Sequence, residues 1–156
     1  MTTKKMAIIA TKGTLDMAYP PFILASTAAA LGYDVQIFFT FYGLQLLRKD
    51  LSDVKISPLA NPAMPMPVPM PVMVQMLPGM ETMATMMMKQ KLKKHGVASL
   101  EELRDLCLEA DVKFVACQMT VDLFEFDKSE FISQVEYGGA ATFFGFAGET
   151  DICLFV

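Results

Sequence analysis

A chain of 156 residues, 53% of them hydrophobic and 19% charged, is long enough to bury a core as one compact domain without disulfides or a structural metal. Its formal net charge of -4 and pI near 4.9 argue against nucleic acid as a partner, because phosphate backbones attract basic proteins. A mean hydropathy of +0.39 is high for a soluble monomer, so we expect a homo-oligomer or a bound apolar partner.

The first third of the chain alternates between strand and helix signals. The short apolar run at residues 5–10 predicts a buried strand, and residues 34–40 predict a second one. Between them, residues 15–31 carry apolar side chains at helical spacing, and Pro20 and Pro21 predict a kink or a late start of that helix. This order of strand, helix and strand is typical of an α/β domain with a parallel sheet.

The middle of the chain is rich in proline and methionine, and we interpret it as an insertion at about residues 58–95 that follows a short helix at 41–48. Residues 56–80 carry no charge, but their prolines exclude a membrane-spanning helix, so we predict an extended, polyproline-like segment at 60–74. Residues 79–94 predict a helix. Its methionines either fill an irregular oligomer core or form an adaptable docking surface for a partner protein or a membrane edge.

The last third of the chain predicts the rest of the sheet. A helix begins at Ser99, where the sequence encodes a capping box, and a strand follows at 112–117. Residues 129–134 predict a short helical turn, and 138–147 predict a helix of small residues. A strand is expected at 151–156.

The cysteines and the histidine give no sign of a metal site. Cys107, Cys117, Cys153 and the single histidine, His95, lack metal-ligand spacing, so the sequence predicts no metal and no other cofactor. An odd number of cysteines without a signal peptide fits a reducing, cytoplasmic compartment. We interpret Cys107 and Cys153 as buried, because free cysteine commonly packs as a small hydrophobe. His95 ends the methionine-rich helix, where an imidazole usually interacts with the helix dipole.

Cys117 is the candidate catalytic residue, because it stands where a strand ends and a helix begins. Ligands gather at the carboxyl ends of strands in open α/β sheets, and a helix N-terminus favours thiolate over thiol. The alternative is a buried thiol at a strand end. The amides of Gln118 and Met119 would lower the thiol pKa and the Asp122 carboxylate would raise it, and the sequence leaves this balance open.

Other residues at the same predicted sheet edge are candidates for a ligand pocket. The turn after the first strand places Lys12, Gly13 and Asp16 there, either as an anion site or as a plain turn. Phe41 and Tyr42 follow the second strand, either as aromatic walls that exclude water from a reactive sulfur or as core residues. The complete predicted pocket consists of Lys12, Gly13, Asp16, Phe41, Tyr42, Gln118 and Asp122.

Four blocks in order along the chain resemble the DsrE/DsrF-like family, and in particular its DsrE2 branch: residues 12–25, 38–44, 116–123 and 136–142. The resemblance spans nearly the whole chain and includes the insertion rich in proline and methionine. It implies a single domain over residues 1–156 with a three-layer, Rossmann-like (flavodoxin-like) parallel sheet of about five strands. It also implies a homo-oligomer, as a trimer, a tetramer or a hexamer.

In this resemblance Cys117 matches a cysteine that carries sulfur as a persulfide, which implies a sulfur carrier or sulfurtransferase in cytoplasmic sulfur relay or sulfur oxidation. Its partners would be sulfur donor and acceptor proteins, and membrane association is possible but not expected. Where relatives usually have glycine, this chain has Phe124 and Glu125. Two alternatives stay open. One is a non-catalytic module that binds a small ligand or a protein, and the other is a thiol peroxidase, which usually needs an arginine near its cysteine.

Overall fold

The computed structural model describes residues 2–57, 68 and 71–156. Within these residues, five parallel strands form one sheet: β1 (Lys5–Ala10), β2 (Asp34–Phe39), β3 (Lys113–Cys117), β4 (Val135–Gly138) and β5 (Ile152–Phe155). Their order across the sheet is β4-β3-β2-β1-β5, so β1 pairs with both β2 and β5. The predicted α/β class with a parallel sheet of about five strands is confirmed.

Helices flank both faces of this sheet. They are α1 (Leu15–Ala30), α2 (Val72–Gln75), α3 (Met80–Lys94), α4 (Leu100–Glu109), α5 (Gln118–Leu123) and α6 (Ala140–Ala147). A first 3-10 helix at Phe41–Leu47 follows β2, and a second at Lys128–Glu130 follows α5. Helices α1 and α4 pack against each other over one face, which we call the first face, whereas α6 packs on the second face.

The larger core lies on the first face. Phe22 of α1, Phe39 of β2 and Phe114 of β3 meet there with ring centroids 5.2 to 6.1 Å apart, and each is at most 1% exposed. Full burial of one such side chain contributes roughly 2 to 3 kcal/mol. The smaller core lies on the second face and consists of Ala7, Phe38, Val115, Cys117 and Phe143.

Helix α1 contains two prolines and is nevertheless continuous. It begins at Leu15 and runs through Pro20 and Pro21, so the expected late start is wrong. Neither proline can donate a backbone hydrogen bond in the helix interior. The helix tolerates this loss because its inward face, which includes Ala18 and Phe22, is fully buried on the sheet.

Strand β4 is the one strand that the residue pattern does not predict. Only Val135 of its four residues is buried, so it shows neither alternation nor a long apolar run. The helix predicted from residue 138 begins at Ala140 instead, because residues 135–138 belong to the sheet. The helical turn predicted at 129–134 is present as the second 3-10 helix, shifted slightly toward the N-terminus.

The predicted insertion is described in part. Residues 58–67, 69 and 70 lie outside the described residues, and with them most of the segment that we expect to be extended. Residues Val72–Gln75 form α2, so the prediction of extended conformation is wrong at that end. The single domain with an insertion stays a prediction.

Helix α3 confirms the predicted methionine-rich helix, which ends at His95 as expected. Met83, Met86 and Met87 are 49 to 63% exposed in this single chain, so their burial in an oligomer stays a prediction. Among the helices of the described residues, none is long and apolar enough to cross a membrane.

Gly13 and Gly43 let two loops touch at the carboxyl edge of the sheet. A Cβ atom on Gly13 would overlap the carbonyl oxygen of Tyr42, and one on Gly43 would overlap the carbonyl oxygen of Ala10. The loop after β1 and the first 3-10 helix are therefore in backbone contact. This contact sets the position of Tyr42 relative to the loop that carries Lys12.

Gly13→Ala should lower the free energy of unfolding by about 1 to 3 kcal/mol, because the new methyl group meets backbone that cannot rotate away. Urea unfolding followed by circular dichroism measures this change. The matched control is Gly145→Ala in α6, where an added Cβ meets nothing within 4 Å. Since alanine favours helix, that variant should gain up to about 1 kcal/mol. A Gly13→Ala protein as stable as the wild type would contradict the backbone contact.

Candidate functional site

Cys117 is the last residue of β3 and directly precedes α5. Its side chain lies on the second face of the sheet with Phe38, Val115 and Phe143, and the residue is 5% exposed. The predicted position at the end of a strand and the start of a helix is thus the observed one. The sulfur is neither freely exposed nor surrounded only by hydrocarbon, because hydroxyl and amide groups also reach it.

Hydrogen-bond donors around the sulfur set the charge state of Cys117. Burial raises the pKa of the thiol, but hydrogen bonds from the Thr120 hydroxyl and amide, the Thr40 hydroxyl and the Met119 amide lower the pKa by more. The net pKa lies below the ordinary value of a cysteine. We call these donors the donor cage, and they stabilise the thiolate relative to the thiol.

The sheet register brings Thr40 to Cys117. Phe39 of β2 pairs with Ala116 of β3, so the next residue of each strand, Thr40 and Cys117, are neighbours at the carboxyl edge. Thr120 reaches the same point from the first turn of α5, and the two threonine hydroxyl oxygens are 3.2 Å apart. The donor cage therefore combines Thr40, which follows β2, with groups from the first turn of α5, which follows β3.

Three aromatic residues, Phe41, Tyr42 and Phe124, form an exposed surface beside the donor cage, which we call the aromatic shelf. The rings of Tyr42 and Phe124 stack with centroids 6.1 Å apart, and Phe41 meets Phe124 edge-on at 6.2 Å. The Phe41 amide donates to the Thr120 hydroxyl at 3.3 Å, which links the shelf to the cage. Phe41 adopts a φ of 49°, a strained conformation for a bulky residue.

Gln118 and Asp122 form a polar border on α5. The Gln118 side-chain amide donates to the Asp122 carboxylate at 2.7 Å, and the Lys128 ammonium donates to the Gln118 side-chain oxygen at 2.8 Å. Lys128 also lies over the Tyr137 ring, 4.1 Å from its centroid. Asp122 is thus held by Gln118. The sequence leaves open whether the pKa of Cys117 is raised or lowered, and in the structure the hydrogen bonds of the donor cage lower it.

Lys12, Gly13 and Tyr42 line one open cavity of about 470 Å³ together with Met17 and Gln45. Lys12 is the charged side chain of this lining, so the cavity suits an anionic group on an otherwise apolar ligand. Within the described residues, no group of three or more His, Cys, Asp and Glu side chains converges to hold a metal.

Asp16, another predicted pocket residue, makes a structural contact. Its carboxylate accepts hydrogen bonds from the amide and the hydroxyl of Ser57, both at 2.9 Å. Burial raises the pKa of this carboxyl, but the bonds from Ser57 and Thr14 lower it by more, so its net pKa lies below the ordinary value. Asp16 therefore attaches the segment before residue 58 to the start of α1.

The other two cysteines differ from each other. Cys107 is fully buried, as predicted, and burial raises its pKa to about 12. Cys153 is exposed, so the prediction that it is buried is wrong. It lies on β5, at an edge of the sheet where neighbouring elements do not cover its side chain.

Thr40 and Thr120 are the residues of the candidate site that sequence reasoning missed. A hydroxyl three residues after the cysteine, at the start of a helix, is a signal for Thr120 because that spacing spans one helical turn. Thr40 has no comparable signal, since its contact with Cys117 depends on which strands are neighbours.

A comparison with known protein families identifies the family of this chain. A family model described as the DsrE/DsrF/DrsH-like family matches residues 2–155. The chain belongs to this family. The resemblance noted in the sequence is therefore confirmed over nearly the whole chain.

Three known proteins are similar to the chain over nearly its full length. It is 67% identical over 160 residues to the sulfur carrier protein DsrE2 of Allochromatium vinosum, with 100% of both chains covered. It is 34% identical over 158 residues to the uncharacterized protein YrkE of Bacillus subtilis, covering 99% of this chain and 98% of that one. The crystal structure of the ychN protein from E. coli has a TM-score of 0.57 at 11% identity and covers 99% of this chain and 100% of that chain, a likeness of fold alone.

Phe124 and Glu125, where the resemblance to the family leads us to expect glycine, lie in a tight turn after α5. The Glu125 amide donates to the carbonyl of Asp122 at 3.2 Å, and the Phe126 amide donates to the carbonyl of Val121 at 3.0 Å. This is a Schellman motif, and Glu125 has the left-handed φ of 53° that glycine adopts without strain. Glu125 thus adopts a backbone conformation that glycine would adopt with less strain.

Glu125→Gly should therefore raise the free energy of unfolding by about 1 kcal/mol, because a β-carbon is disfavoured at a left-handed position. Thermal and urea unfolding measure the gain. Glu109→Gly, within α4, is the matched control and should lose up to about 1 kcal/mol, since glycine is a poor helix former. Equal losses in both variants would argue against strain at Glu125.

Thr120→Val should shift the alkylation profile of Cys117 to higher pH and slow its alkylation at pH 7 about three- to tenfold, since one hydrogen bond to the thiolate is lost. The rate of modification by iodoacetamide, followed by peptide mass spectrometry in a Cys153→Ser background, measures this. Thr120→Ser keeps the hydroxyl and is the control. If the pH dependence of alkylation is unchanged in Thr120→Val, the Thr120 hydroxyl does not lower the pKa of Cys117.

Proposed function

We propose that the protein is a sulfur carrier or sulfurtransferase that holds sulfur as a persulfide on Cys117, in cytoplasmic sulfur relay or sulfur oxidation. The observation that carries this proposal is the donor cage, which lowers the pKa of a cysteine at a sheet edge. The name of the A. vinosum relative, sulfur carrier protein DsrE2, points the same way.

The chemistry requires a single cysteine. The Cys117 thiolate attacks the outer sulfur of a donor persulfide, R–S–SH, and a new S–S bond forms while the donor leaves as the thiolate R–S⁻. An acceptor thiolate then attacks the outer sulfur, and Cys117 leaves as a thiolate. No external oxidant or reductant is consumed, because the sulfane sulfur only changes its carrier.

The donor cage assists both steps. Cys117 is the nucleophile in the first step and the leaving group in the second, and a lowered pKa favours the thiolate in each role. The hydroxyls of Thr40 and Thr120 can rotate to follow the charge as it moves from the inner to the outer sulfur.

The aromatic shelf supports a role for protein partners. Tyr42 is 66% exposed, Phe41 44% and Phe124 39%, although large aromatic side chains favour burial. Exposed aromatic groups beside a buried sulfur suit a donor or acceptor protein that covers the site and excludes water during transfer.

Fewer observations support the alternative that Cys117 belongs to a thiol peroxidase. The two arginines of the chain are both engaged away from Cys117: Arg48 pairs with Glu130 at 2.8 Å, and Arg104 is buried against backbone carbonyls such as that of Leu46. Neither is placed to activate a peroxide. A non-catalytic binding module is favoured by one observation, the cavity that Lys12 lines.

Incubation of the reduced protein with polysulfide, thiosulfate or a low-molecular-weight persulfide should add about 32 Da, the mass of one sulfur atom. Intact-protein mass spectrometry measures the gain, and a thiol acceptor should remove it. Cys117→Ser should abolish the gain, whereas Cys153→Ser, which removes the exposed thiol, should retain it. Failure of every donor to load Cys117, or sulfur found on Cys153 alone, would favour the binding module.

A further inference from the structure

The position beside Cys117 on the β4 side of the sheet carries no side chain of its own strand. Cys117 pairs with Gly138 in the register of β3 and β4. Paired residues of parallel strands direct their side chains to the same face, and neighbouring strands are about 4.8 Å apart. A side chain at position 138 would therefore lie directly beside the Cys117 sulfur, and Gly138 leaves that place free.

The Thr142 side chain occupies this place from the first turn of α6. A Cβ atom on Gly138 would lie 2.6 Å from the Thr142 hydroxyl oxygen and 2.8 Å from the Thr142 β-carbon and γ-carbon. The Thr142 hydroxyl is therefore about one strand spacing from Cys117. Thr40 follows β2, on the other side of β3, so the sulfur lies between two threonine side chains.

The Thr142 hydroxyl is available to a ligand. Thr142 is exposed, and its hydroxyl makes no hydrogen bond to another of the described residues. The hydrogen bonds that reach the free thiol come from Thr40, Thr120 and Met119. Thr142 therefore differs from the two threonines of the donor cage, whose hydroxyls already act on the empty cysteine.

The surroundings of the sulfur direct an added atom toward Thr142. On the β2 side, the hydroxyl oxygens of Thr40 and Thr120 lie 3.2 Å apart, and Thr120 is fully buried. Toward the middle of the second face, the rings of Phe38 and Phe143 lie 5.4 Å apart, and both residues are buried. A second sulfur, bonded to the first at about 2.05 Å, is thereby directed toward β4 and comes within hydrogen-bond reach of the Thr142 hydroxyl.

We propose that the Thr142 hydroxyl binds the outer sulfur of a persulfide on Cys117. The inference rests on the proposed persulfide function and adds to it a binding residue that is specific to the loaded protein. The empty cysteine is stabilised as a thiolate by the donor cage alone, whereas the outer sulfur gains a further donor on the β4 side.

The bond to Thr142 forms only after sulfur has been transferred. The Cys117 thiolate takes the outer sulfur of a donor R–S–SH, and R–S⁻ leaves with the electron pair of the broken S–S bond. Loss of the outer proton to solvent gives Cys117–S–S⁻, and the Thr142 O–H donates to this terminal sulfur. For unloading, the terminal sulfur takes up a proton, an acceptor thiolate attacks it, and Cys117 leaves as the thiolate. Thr142 therefore stabilises the loaded form without changing the empty one.

Thr142→Val should lower the equilibrium constant for loading Cys117 about three- to tenfold, because a methyl group replaces the hydroxyl that donates to a charged sulfur. Mixtures of glutathione persulfide and glutathione at pH 7 set this equilibrium in a Cys153→Ser background, and intact-protein mass spectrometry measures it. Thr142→Ser keeps the hydroxyl and is the matched control, with a constant within about twofold of the wild type. Thr142→Ala also removes the hydroxyl, favours the helix, and should show the same loss as Thr142→Val.

The alkylation rate of the empty cysteine separates binding of the outer sulfur from a structural role. Iodoacetamide should modify unloaded Cys117 in Thr142→Val within about twofold of the wild-type rate, unlike in Thr120→Val, because Thr142 does not contact the free thiol. Circular dichroism establishes that the variants are folded.

Three results would count against this role of Thr142. Loading constants that are equal in Thr142→Val and the wild type would overturn it and leave the proposed function intact. A loss of loading that is matched by an equal loss of alkylation rate would also overturn it, since Thr142 would then act on the empty site. If no persulfide loads wild-type Cys117, the proposed function fails and the role of Thr142 fails with it.

Discussion

The register between β2 and β3 determines the surroundings of Cys117. Because Phe39 pairs with Ala116, the next residue of β2 is Thr40, and its hydroxyl lies beside the sulfur. A shift of one residue would turn Thr40 to the opposite face of the sheet and leave the thiol with fewer donors. The large core on the first face favours this register, because a one-residue shift would move Phe39 out of that core to the other face of the sheet.

The same edge stores conformational strain next to the sulfur. Phe41 has a left-handed φ directly after Thr40, and the backbone of the first 3-10 helix touches the loop after β1 at Gly13. Strain of this kind costs of order 1 to 3 kcal/mol and persists only where the surrounding structure enforces it. Here the buried residues of the 3-10 helix, such as Leu44 and Leu47, enforce it and keep the aromatic shelf at the rim of the site.

The residue pattern predicts the elements better than it predicts their contacts. Cys117 is placed correctly because a short apolar run followed by a helix start is a local signal, and the same holds for α3 and α4. The contact of Thr40 with Cys117 and the exposure of Cys153 have no such local signal. Whether a strand residue is a neighbour of the sulfur or faces solvent depends on the strand order, and in this chain β5 joins the far side of β1 rather than β4. Strand β4 escapes detection because one buried residue in four carries no periodicity.

The length of α6 has a geometric consequence. The connection from β4 to β5 must travel from one side of the sheet to the other, a span of about 19 Å for five strands. Eight helical residues rise only about 12 Å. Helix α6 is therefore too short to cover the whole second face of the sheet. Within the described residues, the second face is therefore closed at Phe143 but open at Phe155, whose ring is 71% exposed.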